Sequence, residues 1–264
     1  MICWLNGQLL EAENAHIAIT DRGFLLGDGL YETIRVSSGQ AQCLTQHLAR
    51  LRTGADIISL PPLNTDIEAA ITAVLQANRL QEGSLRLTVA RGSGPRGLAP
   101  PTESRPTVLI TAFPASAALP PAHLIIANST CRNEQSPLAG VKSINCLDNI
   151  IARREAQTLG ADDAILINTA GRIAEATAAN IFAVIDNALL TPPLSDGALP
   201  GITRARVLVE GGREASLTAD DLKRAQEIFL TSSLGIRQVC KLAGRVLPDD
   251  KPISTRLTGL LFGG

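Results

Sequence analysis

The chain is poor in the residues that build metal sites and disulfide frameworks. Its three histidines, His16, His47 and His123, lie far apart and show neither H-x-x-x-H nor HExxH spacing, so no metal centre is expected. Five cysteines, Cys3, Cys43, Cys131, Cys146 and Cys240, include no CxxC pair, and their odd number does not suggest a closed disulfide set. A reducing, cytoplasmic setting is the expectation. No run approaches the ~18 apolar residues of a membrane span, and the start MICWLNGQLLEAENAHIAITDRG has no basic segment ahead of a long apolar one. Neither membrane insertion nor export is expected. With a formal net charge of −1 and a pI near 6.3, the protein also lacks the positive field of a nucleic-acid binder. Small molecules are the expected partners.

What is present is core-forming material. Apolar residues make up 45% of 264 positions and charged residues 19%, enough for a packed interior with little room for disorder. This length accommodates one large domain or two modest ones. A stretch rich in proline and alanine, PASAALPPAH, sits between two strand-like runs and divides the chain into an N-terminal lobe over 1–115, a linker at 116–122 and a larger lobe over 123–264.

In the first lobe, MICWLNGQLL and HIAIT read as short strands, and DRGFLLGDGLYETIRV places glycines ahead of another β-rich run. CLTQHLARLRTGADIISL spaces Leu44, His47, Leu48, Leu51, Ala55 and Ile58 as a helix does, and TDIEAAITAVLQANRL repeats the pattern after Pro61-Pro62. SLRLTVARGSGPRG is a strand entering a loop of glycines and arginines, followed by the strand TVLITAF. In the second lobe, HLIIAN, DAILIN, NIFAVID, NALLTPP and EIFLTSS read as strands. NIIARREAQTLG, ITRARVLVEGG and TADDLKRA read as helices. The fold class is therefore α+β, or mixed α/β, in two lobes.

Two ionisable residues stand in settings that invite a functional reading. Lys142 precedes a helix-like run, at what reads as a strand-to-helix transition, and no acidic residue follows it until Asp148. An amine whose surroundings favour its neutral form is a nucleophile or Schiff-base former, whereas most lysines are solvated surface charges. Glu175 lies beside the small residues ATAAN, which would admit a flat ligand close to the backbone; the plainer alternative is an exposed turn carboxylate.

Seven segments in order resemble the fold type IV pyridoxal-phosphate enzymes, the class IV aminotransferase family. They are LGDGLYETIRV at 26–36, HLARL at 47–51, RGSGPRG at 91–97, GVKSINCLDNIIARREA at 140–156, GRIAEATAANIFAV at 171–184, GITRARV at 201–207 and FLTSSLGI at 229–236. The resemblance covers nearly the whole chain and implies a two-lobe fold like that of D-amino-acid aminotransferase, with pyridoxal 5′-phosphate as cofactor. Lys142 would then be the Schiff-base lysine and proton shuttle, and Glu175 the partner of the pyridine nitrogen. Arg50 would bind phosphate through its fixed fork of donors. The amides of Ile202 and Thr203 at a helix start, with Ser232 and Ser233, would complete the phosphate site. Tyr31, the only tyrosine, would line the substrate pocket. Thr33 and Arg35 share its strand face by two-residue alternation. Family members are commonly homodimers, and a homodimer is implied.

The family hosts several reactions. The branched-chain enzymes usually carry a tyrosine five residues after the lysine, where this chain has Leu147. D-amino-acid aminotransferases pair an arginine of an RGxxPR loop with a histidine two residues on, where this chain keeps Arg96 but has Leu98. RGSGPRG and SSLGIR look more like the 4-amino-4-deoxychorismate lyases, in which Arg96 would hold a substrate carboxylate. The leading expectation is a lyase making 4-aminobenzoate and pyruvate, a step in folate precursor synthesis. The alternatives are an aminotransferase, for D-amino acids ahead of branched-chain L-amino acids or R-amines, and behind it a non-catalytic protein that binds pyridoxal phosphate.

Overall fold

The computed structural model describes residues 1–263, which fall into two compact units. The first comprises Met1–Ala117 with Val141–Asn145, and the second Ala118–Gly140 with the described residues from Cys146 onward.

The first unit is built on a six-stranded antiparallel sheet in the order β2-β1-β6-β5-β3-β4. Its strands are β1 (Ile2–Leu5), β2 (Gln8–Glu11), β3 (Gly29–Ser37), β4 (Gln40–Ala41), β5 (Gly83–Ala90) and β6 (Thr107–Pro114). Along β3 the residues alternate between buried and half-buried, as a sheet with one covered face requires. Helices α2 (Leu44–Ile57) and α3 (Ile67–Asn78) cover that face. They bury Leu48, Leu51, Ile71 and Val74 against Ile34, Val36, Leu85, Leu87 and Ile110, each such side chain contributing roughly 1.5–3 kcal/mol through its apolar area. The opposite face carries Tyr31 and Thr33, paired across β5 with Thr88 and Arg86.

Two local expectations need correction. HIAIT is not a strand: Asp21 N donates to Ala18 O at 2.9 Å to close a turn, and Ile17 and Ile19 are exposed. Its alternation is that of a strand, but no sheet edge pairs with it. Nor does Lys142 follow a strand, since a 3-10 turn, Pro137–Gly140, precedes it. Residues 141–145, which division by chain order assigns to the second lobe, belong with the first unit. Main-chain bonds Tyr31 N to Lys142 O (2.9 Å) and Ile144 N to Gly29 O (3.0 Å) tie them to β3, and Val141 enters the first core.

The second unit has a nine-stranded mixed sheet, ordered β12-β11-β10-β13-β14-β7-β8-β9, with β15 also paired to β14. Its strands are β7 (Ala122–Ile126), β8 (Asp163–Ile167), β9 (Ile173–Ala176), β10 (Asn180–Ile185), β11 (Ala188–Thr191), β12 (Arg213–Glu214), β13 (Glu227–Ser232), β14 (Gly235–Leu242) and β15 (Arg245–Val246). The helices are α4 (Leu147–Thr158), α5 (Ile202–Val209), α6 (Ala219–Lys223) and α7 (Pro252–Phe262), and a short helix α1 (Arg22–Leu26) stands in the first unit. Ala152 and Ala156 let α4 lie close on Ile125, Ala164 and Leu166. Phe182 and Phe229 stack with ring centroids 5.3 Å apart, and Val207 of α5 and Leu257 of α7 pack beside them.

Candidate active site

The candidate residues divide between the units. Lys142, Tyr31, Arg50 and Arg96 belong to the first, and Glu175, Ile202, Thr203, Ser232 and Ser233 to the second.

In the first unit Lys142 and Tyr31 are brought together. The hydrogen bond from the Tyr31 amide sets the backbone of Lys142, the adjacent Ser143 forms a single bridge with Leu30, and Lys142 Nζ stands 4.3 Å from the Tyr31 ring centroid. The Arg86 guanidinium also lies over that ring, at 4.0 Å, so a polarisable aromatic face sits beside two cationic side chains. Arg50, one turn along α2 from His47, directs its fork at Glu32, with Nε 2.8 Å from Oε1 and Nη2 2.5 Å from Oε2. His47 Nδ1 lies 2.6 Å from the same Oε2. Burial alone would raise the Glu32 carboxyl, but the hydrogen bonds and charges of Arg50 and His47 together bring it below the ordinary glutamate value. Arg96 is exposed in the loop after β5, and so is Leu98.

In the second unit Glu175 lies on β9 with 6% of its surface exposed, so it is not the exposed turn carboxylate. Arg132 Nη2 stands 3.3 Å from its Oε1, and the amide of Leu199 donates to its Oε2 at 2.9 Å. Arg132 is itself fixed by the carbonyls of Ala139 (2.7 Å) and Gly197 (3.1 Å). Just beyond β9, Thr177 Oγ1 donates to Asp163 Oδ1 at 2.6 Å, and Arg153 Nη2 reaches Asp163 Oδ2 at 2.7 Å.

Leu199 also ties the acid to α5. Its carbonyl accepts from Asn180 Nδ2 (2.9 Å) and from the Gly201 amide (2.8 Å), and Gly201 is the N-cap of α5. No side chain caps this helix, and its first-turn amides have no carbonyl of their own helix to bond. Thr203 Oγ1 donates to Ser232 O at 2.7 Å, which joins the start of α5 to the end of β13. A Cβ on Gly201 would stand 2.0 Å from Asn180 Oδ1; only glycine allows this approach.

Sequence reasoning missed Glu32, Arg132 and a group formed by Arg22, Asp28 and Arg91. A signal for Glu32 was present, because alternation from Tyr31 puts this carboxylate on the apolar face with Leu30 and Ile34. Arg132 gives none: its partners come from distant segments.

The family model for amino-transferase class IV matches residues 29–242, and the chain belongs to that family. Enzymes of the family depend on pyridoxal phosphate, and both lyases and transaminases occur among its members. The chain is 33% identical over 258 residues to a Methanocaldococcus jannaschii protein provisionally named a branched-chain-amino-acid aminotransferase, covering 94% of this chain and 90% of that one. It is 31% identical over 256 residues to the D-alanine aminotransferase of Bacillus licheniformis, with the same coverage. Among solved structures, a protein of Legionella pneumophila provisionally named a 4-amino-4-deoxychorismate lyase superposes with a TM-score of 0.87 at 35% identity, over 95% of this chain and 96% of that one.

Proposed function

We propose that this enzyme is a 4-amino-4-deoxychorismate lyase, releasing 4-aminobenzoate and pyruvate, and that it works as a cytoplasmic homodimer. The observation that carries the reading is the loop after β5. Arg96 is followed two positions on by an exposed leucine instead of a second polar group, an arrangement suited to one carboxylate of a ring substrate and poor for the two-sided grip that a small D-amino acid needs. The likeness to the Legionella structure supports it.

The residues fit pyridoxal 5′-phosphate. Glu175 offers a buried carboxylate acceptor for a ring N–H, and the uncapped start of α5, with Thr203, Ser232 and Ser233, offers donors for a phosphate. The close approach of Gly201 to Asn180 keeps that helix start clear of a side chain. Arg50, oriented by Glu32, is assigned to the phosphate as well. When bound, the cofactor supplies the electron sink for cleavage next to the substrate amine.

The chain's own residues then do the following. The Lys142 amine takes the proton from C4 of the substrate ring and gives it to the methylene carbon of the departing enolpyruvate, which becomes the methyl group of pyruvate. Glu175 holds the hydrogen bond at the ring nitrogen, and Arg132 and the Leu199 amide keep its carboxylate aimed. Arg96 binds a substrate carboxylate, and Tyr31 provides an apolar wall against the substrate ring. Departure of the enolpyruvyl group from C3 leaves an aromatic ring, which makes the step effectively one-way.

The D-alanine aminotransferase likeness supports a second reading, a D-selective transaminase. The two separate on product. Supplied with enzymatically generated aminodeoxychorismate, a lyase releases 4-aminobenzoate and pyruvate in equal amounts and keeps its cofactor in the aldehyde form. Rapid conversion of the cofactor to its amine form by D-alanine, with no 4-aminobenzoate formed, would replace the lyase reading with the second one.

A further inference from the structure

We propose that Arg22, clamped by Asp28, is a positioning residue for substrate recognition, because it sets the backbone of the loop that presents Arg96. The inference rests on Arg96 binding a substrate carboxylate, the role assigned above.

Arg22 begins helix α1, yet its side chain is only 5% exposed. One guanidinium is spent on three consecutive carbonyls of the loop after β5: Nη1 donates to Gly97 O (3.0 Å) and Ala99 O (3.2 Å), and Nη2 to Leu98 O (2.8 Å). Among the described residues, 95–99 make no main-chain to main-chain hydrogen bonds. The far end of the loop is therefore fixed by one buried side chain.

The near end is fixed through the same carboxylate. Asp28 Oδ2 accepts from Arg22 Nε at 2.9 Å and from Arg91 Nε at 2.8 Å, and Arg91 opens the loop. The Arg91 head group then reaches the carbonyls of Ser59 (2.8 Å) and Ile58 (2.7 Å), just beyond α2. Burial would raise the Asp28 carboxyl, but the two arginines bring it below its ordinary value. Next along, Gly92 has φ +87°, and a Cβ there would lie 1.9 Å from Arg105 O, while its own carbonyl accepts from Arg22 N at 2.9 Å.

Burying a guanidinium is costly unless its donors are satisfied. Here they are satisfied largely by a segment whose side chains, Arg96 and Leu98 included, point outward to high exposure. The cost is met in order to give an exposed loop one conformation, and Arg96 lies one residue from the first carbonyl held. Losing that anchor spreads Arg96 over many positions and weakens its grip on a carboxylate, with less effect on the chemistry at Lys142.

The test compares wild type with Arg22→Ala, Arg22→Lys, Arg96→Ala and the Arg22→Ala/Arg96→Ala double variant, all loaded with cofactor. KM and kcat are measured with aminodeoxychorismate and with D-alanine, and trypsin cleavage after Arg96 in the loop is timed against cleavage after Arg86 in β5. Arg22→Ala should raise KM about tenfold or more while kcat falls no more than about threefold, the split that marks lost ground-state binding. Trypsin cleavage after Arg96 should speed up, with cleavage after Arg86 unchanged. In the Arg96→Ala background the same substitution should change KM less than about twofold, since residues acting as one unit are not additive. Arg22→Lys keeps the charge beside Asp28 but cannot span three carbonyls, so it should fall between; it also serves if the alanine variant does not fold. Unchanged trypsin cleavage after Arg96 in the Arg22 variants, or an equal KM rise with and without Arg96, would overturn the proposal. A wild type that forms no 4-aminobenzoate counts against the lyase reading instead, and D-alanine kinetics and loop cleavage then decide this one.

Discussion

Glu32 and Glu175 each lie on a β-strand with 0% and 6% of their surface exposed, and each faces an arginine, yet they are held in different ways. Glu32 is gripped by side chains from one helix, with both carboxylate oxygens bonded to Arg50 and one of them also to His47. Glu175 meets Arg132 at a longer 3.3 Å and takes a main-chain amide from Leu199, the residue whose carbonyl also bonds Gly201 at the start of α5. The first arrangement fastens a helix to a sheet and orients Arg50. The second fastens an acid to the segment leading into a helix start. Similar burial therefore implies different consequences of removal: stability at Glu32, chemistry at Glu175.

The sharpest way to break the comparison is Glu175→Gln. The amide side chain can still accept from Leu199 N but does not offer a carboxylate to a ring N–H, so turnover should fall by about 10²- to 10⁴-fold, the scale of a lost electrostatic stabiliser. Cofactor loading should stay near wild type, and the urea midpoint should fall less than in Glu32→Gln, because Arg132 keeps the carbonyls of Ala139 and Gly197. Near-normal turnover would remove Glu175 from the ring-nitrogen role.

Glu32→Gln should act the other way. Taking one partner from a buried ion pair leaves the other uncompensated, a loss of about 3–5 kcal/mol, which urea unfolding at neutral pH would measure. A midpoint within experimental scatter of wild type would mean that the pair does not fasten α2.

The same contrast has a pH signature. The folded-state pKa of Glu32 lies below its ordinary value of 4.5, so its contribution is fully present above the unfolded pKa and is lost as pH falls through the folded one. Asp28 is shifted in the same direction from 3.8. Stability of the wild type should thus decline below about pH 4.5, and the decline should be shallower in Glu32→Gln. Parallel curves for the two proteins would assign the acid limb elsewhere.

How much of this the sequence disclosed depended on the range of the interaction. Helices α2, α3 and α4 are legible because their apolar residues recur at helical spacing on one face. Around Glu175 the small, apolar neighbours ATAAN are legible in the sequence, and the acid itself lies on β9. The strand β14 and helix α7 were not read: the charged Arg237 and Lys241 break the alternation of the first, and the C-terminal run PISTRLTGLLF has only a short apolar stripe. HIAIT misled for the opposite reason, having a strand's pattern without a strand's partner. In the candidate site, Lys142 stands against Tyr31 and Glu175 is buried, whereas Arg22, Asp28, Arg91 and Arg132 depend on pairings between distant segments that no local spacing reports.

A smaller effect is expected at the phosphate side. Gly201→Ala forces a Cβ towards Asn180 Oδ1, and the shift needed to relieve it should cost about 1–3 kcal/mol of local packing. Equilibrium dialysis should show weaker binding of pyridoxal phosphate, with little change in the pH curve that reports Glu32. Unchanged affinity would show that the helix start takes no part in holding phosphate.

The most direct measurement is borohydride reduction of the cofactor-loaded protein followed by peptide mass mapping. The chain has four lysines, Lys142, Lys223, Lys241 and Lys251, and two are credible sites of attachment. Lys251 is a demanding competitor: its Nζ is buried without a hydrogen-bond partner among the described residues, and burial lowers its pKa, both features of a reactive amine. The account predicts the pyridoxyl group on the peptide containing Lys142 and its disappearance in Lys142→Ala. A label on Lys251, or a label that persists in Lys142→Ala, would contradict it.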